Sequence, residues 1–579
     1  MKVLLLHPED AVAESYPGQH WDLVVDLGRA PVGTYERWSR QAGSQVISIY
    51  DYAEEIGDLY RLRELLQLGT GRMVDQWGID WWDVLSLEIV PELQQLMLAH
   101  RVSKELGAAC ELYSTRPHPL ATALRRLLGA RLTILESRFQ SVIHRLRHYR
   151  EVFSHLDNAK LAQVIEDKLD GKHSIRRQFA RRRYVSGRPV ILLPSAYVNV
   201  SRTAVAYAKL LPDHQFLLAL TRSNAKLPSL PANVRSASLS PYFAASDQRE
   251  IESLIQSWSS LRKQLIDIAD EFNTAHAVGE LGRIPALLSW GIALRDAWNR
   301  LFESENVTAC LSADDSNPPS SIPLILAKKR GLPALSAHHG ALNYAMAIKV
   351  NHADFYLATN EMERDYMRRM CHFAADKIAI VASAQSKPRP LQPAARRSAP
   401  WLVFFTEPYQ SGWWRSDEVY RDLLPRLWSL AQTCGLKLVF KLHPFESIKG
   451  HRGMLRRLIP EHERQIEVLA GPPSDQLWSS IQFALTVQSS TALECDVLGI
   501  PVFLCAWLRD PFSGYVQQYG RFGIGHVLES PEQIAEIPGL LTSRNGKPLK
   551  RQAVSGAIGS DELEHLFSRS CSLPMASNA

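Results

Sequence analysis

Two stretches of this chain carry residues whose types and spacing suit chemistry. In the first, Lys441-Leu442-His443-Pro444 closes an apolar, β-rich run, Leu436–Leu442. Gln488-Ser489-Ser490-Thr491 closes another, Phe483–Val487. Proline cannot donate to a sheet ladder and biases the residue before it away from helix, so the first run stops at His443. Serine and threonine are good helix N-caps, and the periodic run Ala492–Leu498, followed by Gly499, reads as the helix they open. An imidazole and a hydroxyl-lined helix start, each at the C-terminal end of a strand, are expected to converge on one crevice. The free N–H groups and partial positive charge of a helix start suit a phosphate or diphosphate, held while a leaving group departs. The bland reading of the same residues is a strand-ending histidine and an ordinary cap.

The second stretch lies upstream. Thr308–Ser312 reads as a strand ending in Ala313-Asp314-Asp315-Ser316-Asn317-Pro318. Ser320–Lys329 reads as a helix, and Leu332–Ser336 as a strand ending in Ala337-His338-His339-Gly340-Ala341. Two acids and two histidines in one crevice are what acid–base work on a hydroxyl needs, with Asp314, Asp315 or His339 taking the proton as the oxygen attacks. Gly340 lets the backbone approach a ligand closely. On the bland reading Asp315 or Ser316 caps the following helix and His338 packs beneath the loop. Asp314, Asp315, His338 and His339 could also ligate a metal, though no H-x-x-x-H helix accompanies them. No G-x-S-x-G elbow supports a serine hydrolase.

The order of the His443-Pro444 and Ser489-Ser490-Thr491 pieces resembles the nucleotide-binding half of GT-B glycosyltransferases. The resemblance is to bacterial capsule and surface-polysaccharide enzymes: sialyl-, polysialyl- and Kdo-transferases and the teichoic-acid glycerophosphotransferases. They carry a His-Pro after one strand and a Ser-Ser or Ser-Thr pair after a later one, and sugar-nucleotide 2-epimerases of the same fold share the pattern. The His339-Gly340 pair resembles one in the other half of glycerophosphotransferases and capsule glycosyltransferases. This resemblance implies a GT-B-like pair of Rossmann-like domains facing each other across a cleft. It also implies metal-independent transfer of a sugar or sugar-like group from a CMP/CDP- or UDP-linked donor to a hydroxyl of a cell-surface polysaccharide or glycolipid. The nucleotide sugar is then substrate, and no cofactor is needed.

On that reading Ser489, Ser490, Thr491, His443 and Pro444 bind the donor phosphate, and Lys441 assists if its side chain points outward. Glu407 and Glu494 hold a ribose or sugar hydroxyl; the first could equally be a turn residue and the second simply solvated. Asn199 and Ser201, in the loop after the strand Pro189–Leu193, face the acceptor with His338 and Gly340. Two rival functions stand beside transfer: a sugar-nucleotide 2-epimerase or hydrolase, and a non-catalytic scaffold of a polysaccharide-assembly complex with the helices of 248–304 as its contact surface.

The elements that must position these residues alternate as strand and helix, which makes the chain α/β. At 579 residues it is too long for one core. We expect a small α/β domain over 1–130, a basic helical connector over 131–186 and an acceptor-side domain over 187–383. A Pro- and Arg-rich linker over 384–400, a nucleotide-binding domain over 401–569 and a disordered tail over 570–579 follow. In the first domain Val3–Leu6, Leu23–Leu27 and Val46–Tyr50 read as strands and Trp82–Leu106 as one helix. No glycine-rich phosphate loop appears there. Trp77, Trp81 and Trp82 read as packing, or as a sugar-stacking platform. Lys172, Arg176, Arg177, Arg181, Arg182 and Arg183, with no acid among them, read as a solvated connector or as a contact with an anionic membrane surface or glycan. No nucleic-acid motif appears. Gly514–Gly525 reads as a loop over the site or as an irregular packed segment.

Composition narrows the classes. Hydrophobic content of 46% and charged content of 22% are those of an ordinary soluble protein. A net charge of +6 permits acidic substrates without requiring them. The seven scattered cysteines form no C-x-x-C pair, which points to buried thiols in a reducing compartment. Met1–Pro8 reads as a first strand rather than a signal peptide, and no run of eighteen apolar residues is present. The expected location is cytoplasmic, or peripheral at the inner face of the plasma membrane.

Overall fold

The computed structural model describes residues 1–10, 20–31, 33–135, 187–222, 225–381, 400–407, 414–444, 446–509, 516–543 and 557–568. The basic cluster of 172–183, residues 384–399 of the expected linker and the tail 570–579 lie outside them. Two compact units emerge, each assembled from separate stretches. The first joins Met1–Asp58, Leu93–Asp157 and Pro388–Gln552; the second joins Leu59–Glu92, Asn158–Lys387 and Ala553–Ala579.

In chain order, β1 (Lys2–Leu6), β2 (Leu23–Asp26), β3 (Gln45–Ser48), β4 (Glu111–Ser114) and β5 (Arg131–Ile134) form a sheet of order β3-β2-β1-β4-β5. β6 (Val190–Ser195), β7 (Phe216–Leu220), β8 (Val234–Ser238), β9 (Val307–Ser312), β10 (Ala334–Ser336), β11 (Phe355–Ala358) and β12 (Ile378–Val381) belong to the sheet of the second unit. β13 (Trp401–Phe405), β14 (Lys437–Lys441), β15 (Glu467–Leu469), β16 (Ile481–Thr486), β17 (Val502–Cys505) and β18 (His526–Leu528) form the third, of order β15-β14-β13-β16-β17-β18. Finally β19 (Ala557–Ile558) returns to the edge of the second sheet, which reads β19-β12-β11-β10-β9-β6-β7-β8. The named strands pair in parallel. The cause is in the sequence: strands such as Val190–Ser195 and Phe216–Leu220 are buried along their whole length, as parallel strands covered by helices on both faces must be. Each sheet follows the doubly wound order, with its switch point between β1 and β4, β6 and β9, or β13 and β16.

Several elements differ from the sequence expectation. Arg131–Ile134 is a strand paired with β4 rather than the start of a helical connector. It is an edge strand with little buried surface, so it lacks the apolar run that marks a central one. β8 went unread for the same reason, since its VRSAS is mostly half-buried. The expected helix Trp82–Leu106 is broken into Trp81–Leu85, a 3-10 turn Ser86–Ile89 and Val90–Leu106, restarting where Pro91 is tolerated in a first helical turn. Gly514–Gly525 contains a helix, Val516–Arg521, with Val516 and Tyr519 buried.

The stretch Leu59–Glu92 packs into the second unit instead of staying with the rest of residues 1–130, and its tryptophans explain why. Trp82 stacks on Trp258 at 5.9 Å between ring centroids and meets Phe272 edge-on at 5.8 Å. Trp258 lies on the stripe Leu254, Trp258, Leu261, Leu265, the buried face of the helix Gln248–Ile268. Arg295, 1% exposed, faces Asp75 at 2.6 Å, Glu250 at 2.6 Å and Asp296 at 2.7 Å. The expected packing role of Trp81 and Trp82 is therefore what the structure displays; Trp77 is part-exposed under Arg330.

A glycine in this contact yields a prediction. A Cβ on Gly291 would lie 2.5 Å from Cζ3 of Trp81, whose ring is fixed by Nε1–H donating to Asp75 Oδ2 at 3.1 Å. Alanine gains about 1 kcal/mol of helix propensity over glycine. Overpacking against a ring that cannot swing costs about 1–3 kcal/mol. Gly291→Ala is therefore expected to lower the melting temperature; an equal or higher value would mean that the ring has room to move.

Candidate active site

In the first unit the tip of β13 lies between those of β14 and β16. The residues after these strands are Thr406-Glu407, His443-Pro444 and Gln488-Ser489-Ser490-Thr491, and the strand tips are stitched together. His443 N donates to Thr406 Oγ1 at 3.0 Å and to Glu446 Oε2 at 3.1 Å, while the Thr406 hydroxyl donates to the same carboxylate. Gln488 N donates to Glu407 Oε1 at 2.8 Å, and the Tyr519 hydroxyl donates to Gln488 O at 3.4 Å. His443 is half-buried and Pro444 exposed. The helix Thr491–Val497 follows, and its N-cap Ser490 spends no side-chain hydrogen bond on capping. Thr491 N donates to Ser489 Oγ at 3.3 Å. The Thr491 Oγ1 atom is buried with no hydrogen-bond partner among the described residues.

Other expected donor residues have different surroundings. Lys441 is buried and donates to Leu442 O at 3.1 Å, so the outward orientation that a phosphate contact needs is not what the side chain adopts. The Glu407 carboxylate ties β13 to the β16 tip. Glu494 is exposed on the first turn of its helix.

In the second unit the adjacent acids Asp314 and Asp315 are both buried but divide their roles. Asp315 Oδ1 accepts from the Lys349 ammonium, itself buried, and the pair has the form of a structural ion pair. His352 sits beside it, and burial pushes its imidazole down to about 4. Asp314 accepts from Ser316 N at 2.9 Å and from Asn317 Nδ2 at 2.6 Å. Burial opposes its ionisation, but His339, His338 and the Ser316 amide outweigh burial and hold the carboxyl below the ordinary range.

The two rings stand 5.1 Å apart. A carbonyl can only accept, so each nitrogen bonded to one carries a proton. His338 Nε2 donates to Ala341 O at 2.9 Å, and burial lowers this imidazole to about 4. His339 Nδ1 donates to Ala313 O at 3.3 Å, which leaves Nε2 as the ring nitrogen not engaged by that bond.

The helix Pro318–Lys329 that follows Asp314 opens with two prolines. The Ser320 and Ser321 amides both donate to Asn317 O, at 3.1 and 2.9 Å. The first turn therefore has no amide left for an anion, whatever its dipole. Ser316 Oγ, Asn317 Oδ1, Ser320 Oγ and Ser336 Oγ are buried without partners among the described residues. The acceptor-side expectations fare unevenly. Ser201 points inward, 2.8 Å from Ser195 Oγ and donating to Ala225 O at 2.6 Å. Asn199 is half-buried on the helix Val198–Ala208. Gly340 is half-buried, and a Cβ there would meet only His338 Nε2 at 3.7 Å, so close packing does not demand a glycine. Among the described residues no three His, Cys, Asp or Glu side chains are grouped to hold a metal ion.

Sequence reading missed Thr406, Glu446 and Lys349. The first two had a signal: Thr406 is the first residue after a strand, and Glu446 lies three residues beyond His443. Lys349 had none, being 34 residues from its partner.

These features define an α/β protein with three doubly wound parallel sheets. No family model matches the chain, and no curated protein matches it. Among solved structures it is similar to the UDP-GlcNAc 2-epimerase from Methanocaldococcus jannaschii, at 9% identity over 67% of this chain and 99% of that one, with a TM-score of 0.40. It is similar to a variant of the wall teichoic acid polymerase TagF, at 11% identity over 71% and 96%, with a TM-score of 0.39. It is also similar to the lipopolysaccharide outer core galactosyltransferase WaaB, at 12% identity over 66% and 95%, with a TM-score of 0.34. The fold class itself rests on the strand orders. Among the described residues no helix is long and apolar enough to cross a membrane.

Proposed function

We propose that the chain is a glycosyltransferase that moves a sugar or sugar-like group from a nucleotide-activated donor to a hydroxyl of a cell-surface polysaccharide or glycolipid. The observation that carries this reading is a difference between the two crevices. One has hydroxyls at a helix start, including the unpartnered Thr491 Oγ1. The other places the His339 ring beside Asp314, a carboxyl held below its ordinary range.

In this mechanism Ser489, Ser490 and Thr491, with His443, hold the donor phosphate as negative charge builds on the departing nucleotide. The bond from the sugar's anomeric carbon to the phosphate oxygen breaks, the bond to the acceptor oxygen forms, and the hydroxyl proton passes to His339 Nε2. Asp314 stabilises the resulting imidazolium.

A thermal-shift screen against CMP, CDP, UDP, GDP and their sugar conjugates tests the reading. Ligand well above its dissociation constant stabilises by mass action, so one base is expected to raise the melting temperature by about a few degrees. The shift is expected to vanish in His443→Ala. No shift with any nucleotide would remove the donor. Product analysis then decides whether free nucleotide appears with a modified acceptor, as transfer requires, or whether the nucleotide sugar is only isomerised.

A further inference from the structure

The sheet formed by β1–β5 is doubly wound, so the C-terminal ends of its central strands form a crevice of the kind in which such sheets bind ligands. Beside that sheet's switch point, at the ends of β1 and β2, sits a side chain of the same unit. Arg415 Nε donates to Asp26 Oδ2 at 2.8 Å and its Nη2 to Asp26 Oδ1 at 2.6 Å. Nη2 also donates to His7 O at 2.9 Å, and Nη1 to Asp10 O. The guanidinium lies over the Trp38 ring at 4.9 Å, and the Tyr35 hydroxyl donates to Asp26 Oδ2 at 3.1 Å. Asp26 is 0% and Arg415 7% exposed. A bidentate, desolvated pair with further carbonyl acceptors is a strong and geometrically specific contact.

The position of Arg415 is not explained by its own helix. It is the N-cap of the 18-residue helix Ser416–Thr433, where the backbone already places partial positive charge and a cation is unfavourable. It is explained by Asp26. A second contact lies next to it. Arg29 stacks over Trp414 at 4.5 Å, accepts at its carbonyl from Arg415 N at 2.7 Å, and donates through Nη1 to Arg509 O at 2.8 Å. Residues 414–415 belong to the connection leaving β13, and Arg509 follows the turn Ala506–Leu508 leaving β17. β13 and β17 are the neighbours of β16 on its two sides, and β16 leads into Ser489–Thr491. Asp26, at the end of β2, and Arg29, in the loop that follows, therefore hold the connections that flank the candidate nucleotide crevice.

We propose that the N-terminal sheet is a clamp for that crevice. Asp26 and Arg29 act as positioning residues that fix the connections after β13 and β17, and the ends of β1 and β2 seat Arg415. The proposal deepens the donor-binding reading of Ser489–Thr491 and rests on it for its functional consequence.

The test uses the full chain carrying Asp26→Asn, Arg29→Ala or, as a control, Arg37→Ala. Arg37 pairs with Glu418 at the same interface but is half-exposed, and it touches neither connection. Hydrogen exchange is followed in peptides spanning 402–407 and 486–492, where the Gln488 amide bonds Glu407. Calorimetric titration with UDP and, separately, CDP follows binding. Both clamp variants are expected to speed exchange in these two peptides and to weaken nucleotide binding by about tenfold, the scale of effect that small displacements of binding groups produce. The control is expected to change neither. A merely destabilising substitution would speed exchange throughout the first unit rather than selectively in these two peptides. Unchanged exchange in Asp26→Asn and Arg29→Ala overturns the clamp. Should Asp26→Asn fail to fold, half-buried Arg29→Ala decides alone. If the parent binds neither UDP nor CDP, the donor reading fails, while faster exchange in the variants still upholds the clamp.

Discussion

His339→Gln is expected to lower turnover by about 10²–10⁴-fold, the range lost when a positioned proton acceptor is removed. The dissociation constant for nucleotide is expected to stay as in the parent. Glutamine places an amide near where Nε2 stood and offers no basic nitrogen there, while the bond from Nδ1 to Ala313 O is given up. Asp314→Asn serves as the companion variant. It keeps an acceptor for the Ser316 amide. The amide of Asn317 can turn over to meet the new NH2 group, because Asn317 Oδ1 has no partner to lose. The fold should tolerate the change while the imidazolium loses its counter-charge, so turnover is expected to fall by about tenfold. Single-turnover kinetics with saturating donor would check both. Full turnover in His339→Gln would take the histidine out of the mechanism.

Asp315→Asn is expected to behave in the opposite way, as a folding defect. It leaves the Lys349 ammonium buried without a counter-charge, next to a His352 ring that burial already keeps neutral. Breaking one side of a buried ion pair costs about 3–5 kcal/mol. Replacing both partners by apolar residues of similar size is often neutral, so Asp315→Leu combined with Lys349→Met should regain most of the loss. Denaturant melts of the three proteins provide the measurement. If Asp315→Asn is as stable as the parent but inactive, Asp315 acts in the chemistry and its pair with Lys349 is not merely structural.

The contrast between these neighbouring acids marks where sequence reading stops. Strand ends were legible at His443 and Ser489 because an apolar run met a proline in one case and a cap in the other. The same logic located Asp314 and His339. What periodicity cannot tell is which of two consecutive residues faces the crevice and which turns to a lysine far along the chain. Nor could it tell that β13 runs between β14 and β16, so that Thr406 and Glu407 tie the two motifs together from 37 and 81 residues away. Edge strands such as Arg131–Ile134 escaped because they bury too little to need an apolar run. The tryptophans of 77–82 were read as packing, which Trp81 and Trp82 are. Their partners, Trp258 and Gly291, lie in helices some two hundred residues on, and only those partners explain why Leu59–Glu92 leaves its sequence neighbours.

That excursion matters for how the molecule is made. Neither unit is a continuous piece of chain, so no single cut or truncation releases either one whole. The ribosome supplies Asp26 long before Arg415, and at about 5–20 residues per second the interval is tens of seconds. The first unit cannot be completed until its last stretch, Pro388–Gln552, has been synthesised, by which time most of the second unit has already emerged. Synthesis order and assembly order are therefore decoupled in this protein: Asp26 is made 389 residues before the arginine it binds.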